Sequence, residues 1–127
     1  MTIRVLLVDD HTVVRTGFTA LINGTEGMEV VAEAETGEQA CQQFVVSKPD
    51  VVIMDLSLPG IGGLEAIRRI RARESSAAIL VFSMHDEPAF VDKALQAGAL
   101  GYISKKNAPE IMLDALRNVA RGQSYLD

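Results

Sequence analysis

The chain has 127 residues, 48% of them hydrophobic, which suits one compact domain with a sizeable core. Its formal charge of −5, from 17 acidic and 12 basic residues, argues against nonspecific binding to nucleic acid. No apolar run approaches the roughly 20 residues that span a bilayer, and the first residues lack the regions of a secretory signal, so we expect a cytoplasmic protein.

Five apolar runs, taken in chain order, predict β-strands. Three are rich in β-branched and aliphatic residues, which is typical of strands buried on both faces: 3–8, 51–54 and 78–82. Two weaker runs, 28–34 and 100–104, complete the set. The mean hydropathy of +0.18, high for a protein in water, agrees with a sheet that helices cover on both faces.

The segments between these runs space their apolar residues at i, i+3 and i+4, which predicts one buried face per helix. The stripes are Val14, Phe18, Leu21, Ile22; Ala40, Cys41, Phe44, Val45; Leu64, Ile67, Ile70; Val91, Ala94, Leu95; and Met112, Ala115, Leu116, Val119. Thr36 can open the second helix, and Gly98 fits the C-cap of the fourth. The single cysteine, Cys41, excludes an internal disulfide and a cysteine zinc site, and we expect it in the core.

Strand and helix alternate five times, which predicts an α/β fold with a parallel five-stranded sheet, right-handed crossovers and five helices. We expect one domain over residues 1–121. Residues 122–127 contain Gly122, Gln123 and Ser124 and are typical of the start of a linker.

Polar residues directly follow four of the predicted strands. They are Asp9 and Asp10, then Asp55, Ser83 and Lys105. Because ligands bind at the carboxyl ends of parallel strands, these side chains should meet at one edge of the sheet. Two carboxylates ~4 Å apart repel each other by about 4 kcal/mol at an effective dielectric of 20, so three of them require a cation.

The donor set indicates which cation and which chemistry. Oxygen ligands without cysteine suit magnesium, which combines a few carboxylates with water and phosphate oxygens. Lys105 adds a positive charge and Ser83 a hydroxyl donor for an anionic oxygen, so the set predicts phosphoryl transfer to a carboxylate. Singly, each group has a plainer interpretation as a solvated turn, a strand-end cap or a surface lysine; Asp55, at the end of an apolar run, fits one least.

Histidines and arginines leave further interpretations open. His11 and His85 follow the first and fourth strands, so they could form a transition-metal site or simply face solvent. Arg15 and the arginines between positions 68 and 73 are expected mainly on polar helix faces.

Taken together, these motifs resemble the receiver domain of two-component response regulators over essentially the whole chain. The matching segments are Val8-Asp9-Asp10, residues 54–60, Ser83 and residues 101–105. Residues 9–15 and 122–126 also resemble the NarL/FixJ-type subgroup. The resemblance implies a flavodoxin-like sheet of order 2-1-3-4-5.

The resemblance also implies a role for each matching residue. Asp55 would accept the phosphoryl group. Magnesium would be bound by Asp10, Asp55 and the backbone carbonyl of Ser57, with Asp9 acting through a water. Ser83 and Lys105 would bind the phosphoryl oxygens, and Tyr102 would be the switch aromatic.

Implied partners are a sensor histidine kinase as phosphodonor, a helix-turn-helix output domain after Asp127, and a second copy upon phosphorylation. This chain alone is expected to bind neither DNA nor membrane. Two positions depart from the family pattern: Lys106 stands where many receivers have a cis-proline, and Ser83 replaces threonine. Two rival functions remain, a magnesium-dependent phosphohydrolase and a flavodoxin-like cofactor carrier.

Overall fold

The computed structural model describes residues 2–126 and contains the predicted alternation of strands and helices. The first five strands, β1 to β5, are Ile3–Val8, Met28–Ala34, Val51–Met54, Ala78–Ser83 and Gly101–Ser104. The helices, α1 to α5, are Thr12–Asn23, Gly37–Ser47, Gly62–Arg73, Pro88–Ala97 and Pro109–Ala120. A short strand, β6, follows at Tyr125–Leu126.

All strand pairs are parallel, and the sheet has the order β2-β1-β3-β4-β5-β6. The predicted order of the first five strands is therefore confirmed, and β6 is an addition to it. Gly122, at a φ of 80°, turns the chain after α5, so that Tyr125 pairs with Gly101 and Leu126 with Tyr102. The expected linker thus contributes a strand, while Asp127 lies outside the described residues.

The sheet divides the apolar core into two clusters. Alternate residues of the central strand β3 serve each cluster: Val51 and Ile53 face α1 and α5, whereas Val52 and Met54 face α2, α3 and α4. All four are at most 1% exposed, and burying such a side chain stabilises a fold by about 1.5–3 kcal/mol. Double burial explains why the central strands appear in the sequence as unbroken apolar runs.

Local signals begin α2 and end α4 where the sequence predicts. The Thr36 hydroxyl accepts a hydrogen bond from the Gln39 amide at 3.1 Å and caps α2. Gly98 ends α4 in the left-handed region, at a φ of 118°. Cys41 is partly buried against the core, and this burial raises the pKa of its thiol.

The topology determines where a ligand can bind. Strand β2 pairs with one edge of β1 and β3 with the other, so the chain changes direction across the sheet at β1 and β3. A crevice opens at the carboxyl ends of strands on either side of such a switch point. In residues 2–126, no helix has the length and apolarity needed to cross a membrane.

Candidate functional site

Backbone hydrogen bonds continue past the strand ends and fix the polar residues that follow. The Asp55 amide donates to the Val8 carbonyl at 3.1 Å, and the Asp9 amide donates to the Ala34 carbonyl at 3.1 Å. The Lys105 amide donates to the Ser83 carbonyl at 2.8 Å. The sheet therefore determines where these side chains begin.

Lys105 joins the two buried carboxylates. Its Nζ lies 2.6 Å from Asp9 Oδ2 and 3.2 Å from Asp55 Oδ2, and these aspartates are only 1% and 2% exposed. Burial alone would lower the pKa of Lys105, but the hydrogen bond to Asp9 and the charges of both aspartates outweigh it and raise that pKa. The site thus holds a permanent ammonium between two carboxylates.

Carboxylate and imidazole atoms cluster beside this lysine. The potential ligand atoms of Asp9, Asp10, His11 and Asp55 all lie within 4.8 Å of one another. The Asp10 side chain is 34% exposed, so it stands at the solvent-facing rim of the cluster. Buried carboxylates with an open rim suit a cation that keeps several of its waters.

The two histidines lie in different surroundings. His11 Nδ1 lies 3.1 Å from Asp9 Oδ1 and 3.2 Å from Asp10 Oδ1, so His11 belongs to the cluster. His85 does not; its Nε2 lies 2.9 Å from the Ser57 hydroxyl, and its ring stacks on Phe90 with the centroids 4.3 Å apart. The structure therefore does not bring the two histidines together as a paired metal site.

The loop after β3 contacts the Asp55 carboxylate and packs against the start of α3. The Ser57 amide donates to Asp55 Oδ1 at 3.1 Å, so Ser57 lies beside the carboxylate. Gly63, at the start of α3, packs directly on this loop, because a Cβ there would collide with the Asp55 carbonyl and the Leu56 Cα. A glycine is thus needed for α3 to approach the aspartate.

Ser83 and Tyr102 both contact the peptide backbone of His85. The buried Ser83 hydroxyl accepts from the His85 amide at 3.0 Å, and the Tyr102 hydroxyl donates to the His85 carbonyl. Tyr102 is 1% exposed. Burial raises the pKa of Tyr102, so its hydroxyl remains a neutral donor.

Arg15 corrects an expectation from the sequence. The sequence predicts Arg15 on a polar helix face, yet the residue is 8% exposed and contacts the backbone of the site. Its Nη1 donates to the Asp9 carbonyl at 2.6 Å. The spacing of Arg15, Phe18 and Ile22, at i, i+3 and i+7, was the signal that puts it on the buried side of α1.

The loop after β5 has no cis peptide bond, nor has any other part of residues 2–126. Lys106 stands where many receivers have proline, and its ammonium lies 3.2 Å from the Asp86 carboxylate. Lys105 still reaches both aspartates, so this departure from the family pattern does not displace the lysine of the site.

The geometry and the comparisons with known proteins agree on the class. Residues 5–117 match the family described as the response regulator receiver domain, and the chain belongs to that family of two-component signalling domains. Family membership supports a signalling receiver over the rival phosphohydrolase and cofactor carrier.

Individual relatives cover nearly the whole chain. The response regulator UvrY of Escherichia coli strain K12 is 44% identical and GacA of Pseudomonas aeruginosa 43% identical, each over 98% of this chain. The chain spans 57% and 58% of the lengths of these two proteins. The crystal structure of a LuxR-family two-component response regulator from Aurantimonas sp. SI85-9A1 superimposes with a TM-score of 0.95 and 43% identity, over 98% of this chain and 89% of that one.

Proposed function

We propose that Asp55 accepts a phosphoryl group from the phosphohistidine of a sensor kinase, with magnesium bound beside it. The observation that carries this proposal is the setting of the Asp55 carboxylate. It is buried, the Ser57 amide holds Oδ1, Lys105 holds Oδ2, and the exposed Asp10 stands next to it. A carboxylate oriented in this way is a nucleophile with a neutralising cation already in place.

In the transfer, an Asp55 oxygen attacks the phosphorus atom while the bond to the donor histidine nitrogen breaks. The histidine leaves as a neutral imidazole after taking up a proton, and the product is an aspartyl phosphate. Catalysis in such a reaction comes mainly from positioning and charge neutralisation. Attack of water on the same phosphorus would later release inorganic phosphate and restore the carboxylate.

Magnesium would neutralise the charge that builds up on the transferred group. The direct ligands would be Asp10, Asp55 and the backbone carbonyl of Ser57, with the buried Asp9 acting through a water. Support comes from the cluster of carboxylate atoms within 4.8 Å and from its open, solvent-facing rim. Lys105 and Ser83 would then bind the phosphoryl oxygens. In support, Lys105 Nζ lies 3.2 Å from Asp55 Oδ2, and Ser83 ends β4, the strand that pairs with β3 just before Asp55.

The switch would pass through the His85 peptide. Ser83 and Tyr102 bind opposite ends of this residue's backbone, so a Ser83 hydroxyl drawn to a phosphoryl oxygen gives up or weakens its bond with the His85 amide. The change would reach Tyr102 through the carbonyl. Because Tyr102 is already inside the structure, the signal would be a change in its hydrogen bonding rather than an inward rotation.

The whole protein would couple this switch to transcription. The proposal comprises a receiver over residues 1–121, a linker that starts within 122–127, and a helix-turn-helix domain beyond it. Support comes from the greater length of UvrY and GacA. A cytoplasmic location and a homodimer that forms on phosphorylation complete it.

Incubation with acetyl phosphate and magnesium tests the site. The wild-type chain should gain one phosphoryl group that hydroxylamine removes, because the linkage is an acyl phosphate. Asp55→Asn should gain none, and Asp10→Ala should need more magnesium for the same rate. Asp92→Asn, on the exposed side of α4, is the matched control and should behave as wild type. Equal labelling of wild type and Asp55→Asn would contradict the assignment, and turnover of acetyl phosphate without labelling would favour the phosphohydrolase.

The switch is tested by amide NMR of wild type and Ser83→Ala, each with magnesium and beryllofluoride. In the wild type, shifts should extend from Asp55 through His85 to Tyr102. In Ser83→Ala they should stop near Asp55, because a ligand shifts a conformational equilibrium only through contacts that differ between the two states. Equally large shifts at Tyr102 in both proteins would rule out the hydroxyl as the trigger.

A further inference from the structure

Arg15 forms a buried link between the edge strand β2 and the loop after β1. Its Nη1 donates to the Asp9 carbonyl at 2.6 Å, its Nη2 to Glu35 Oε1 at 3.0 Å and its Nε to Glu33 Oε1 at 3.3 Å. The Arg15 side chain is 9% exposed, and the two glutamates lie at its outer side, 44% and 58% exposed. The guanidinium is therefore held by Glu33 of β2 and by Glu35 just after it, and is directed at the backbone of the site.

The Asp9 carbonyl belongs to the peptide that leads into Asp10. Fixing this carbonyl fixes the plane of that peptide and thereby the direction in which the Asp10 chain leaves the strand. Asp9 itself is also held through its side chain, by Lys105 at 2.6 Å and the His11 amide at 2.9 Å. The contact with Arg15, by contrast, acts on the backbone between the two aspartates.

We propose that Arg15 is a positioning residue for the cation site: its planar guanidinium, oriented by Glu33 and Glu35, holds the Asp9–Asp10 peptide in the conformation that binds the metal. This inference rests on the proposed function, because it assigns a role toward the same metal. It also explains the arginine at the end of the 9–15 stretch, to which the phosphoryl chemistry gives no task.

If Arg15 affected the site through its charge alone, the opposite change in magnesium affinity would be expected. Arg15 is a cation close to a cation site, so electrostatic repulsion by itself would weaken metal binding. Its removal should then tighten magnesium binding. Positioning predicts weaker binding instead, because a loosened peptide no longer holds Asp10 beside Asp55. The sign of the change therefore separates the two roles.

The experiment is a magnesium titration of wild type, Arg15→Met and Arg15→Lys. Binding is measured by calorimetry and by the amide NMR signals of Asp10 and His11. Arg15→Met should weaken magnesium binding about tenfold, the scale on which partners behind metal ligands act. Arg15→Lys keeps the charge but cannot span the Asp9 carbonyl and both glutamates with one ammonium, so its affinity should be intermediate. Without magnesium, both variants should show faster amide exchange at Asp10 and His11.

Arg71→Met is the matched control. Arg71 donates to the Ala77 carbonyl at 3.1 Å on another part of the molecule, so this variant removes a similar contact away from the site. It should lose some stability and keep wild-type magnesium affinity. Should Arg15→Met not fold, Arg15→Lys alone decides the matter.

The outcomes are distinct. Unchanged or tighter magnesium binding in a folded Arg15 variant would overturn the positioning role while leaving the proposed function intact. Failure of the wild type itself to bind magnesium would instead overturn the proposed function.

Discussion

At the scale of single residues, Lys105 sets the electrostatics of the site. Its ammonium lies between two buried carboxylates, and removing one partner from such an arrangement is costly. The raised pKa of Lys105 means that the folded state holds this proton more tightly than the unfolded chain does.

This tighter binding predicts a pH dependence of stability. The contribution of Lys105 should be fully present below its ordinary pKa of 10.5 and be lost as the pH rises through its raised value in the fold. The free energy of unfolding, measured with urea from pH 9 upward, should therefore fall more steeply in wild type than in Lys105→Met. Tyr102 titrates in both proteins, so the difference isolates the lysine. Lys106→Met should follow the wild type, because its ion pair is exposed; parallel curves for all three proteins would contradict the prediction.

At the scale of elements, the close packing of α3 on the loop after β3 brings the site together. Gly63 lets the first turn of the helix lie on the Asp55 carbonyl, where a larger residue does not fit. The helix and Asp55 are thus coupled through backbone contact.

Two glycine substitutions should therefore have opposite effects. Gly63→Ala should destabilise the fold by about 1–3 kcal/mol, as overpacking does, and slow labelling of Asp55. Gly17→Ala is the control in α1, where an added Cβ meets nothing within 4 Å. It should stabilise the helix by up to about 1 kcal/mol. Urea unfolding of both variants checks this, and a neutral or stabilising Gly63→Ala would show that the loop yields more easily than its contacts imply.

At the scale of the whole molecule, the net charge of the chain disfavours its binding to DNA. The chain carries a net charge of −5, whereas affinity for DNA depends largely on cations that replace counterions along the phosphate backbone. Any contact with DNA would then belong to the output domain that we propose beyond the linker.

The 127-residue chain alone should accordingly show no sequence-specific DNA binding, with or without beryllofluoride. Fluorescence anisotropy with labelled duplexes over a range of salt concentrations measures this. Salt-dependent binding that favours one sequence over a scrambled duplex of the same length would contradict it. A longer protein that carries the proposed output domain is the positive control.

The sequence by itself determined the sheet and the residues that line its functional edge. Strands such as β3 are buried on both faces, so their apolar runs are continuous and the polar residue that ends each run is easily seen. Parallel topology then brings Asp9, Asp55 and Lys105 to the same edge, because it places all carboxyl ends together.

Only the tertiary structure decided how residues outside those runs are used. Arg15 is buried because Glu33 and Glu35 of a different segment compensate its charge, and Tyr125 and Leu126 form a strand because the edge of β5 offers unpaired backbone groups. His11 joins the acidic cluster while His85 turns to Ser57 and Phe90. For Arg15, for the C-terminal strand and for His85 with Ser57, the partner is distant in sequence, so a local pattern of apolar and polar residues does not record which residue the partner is.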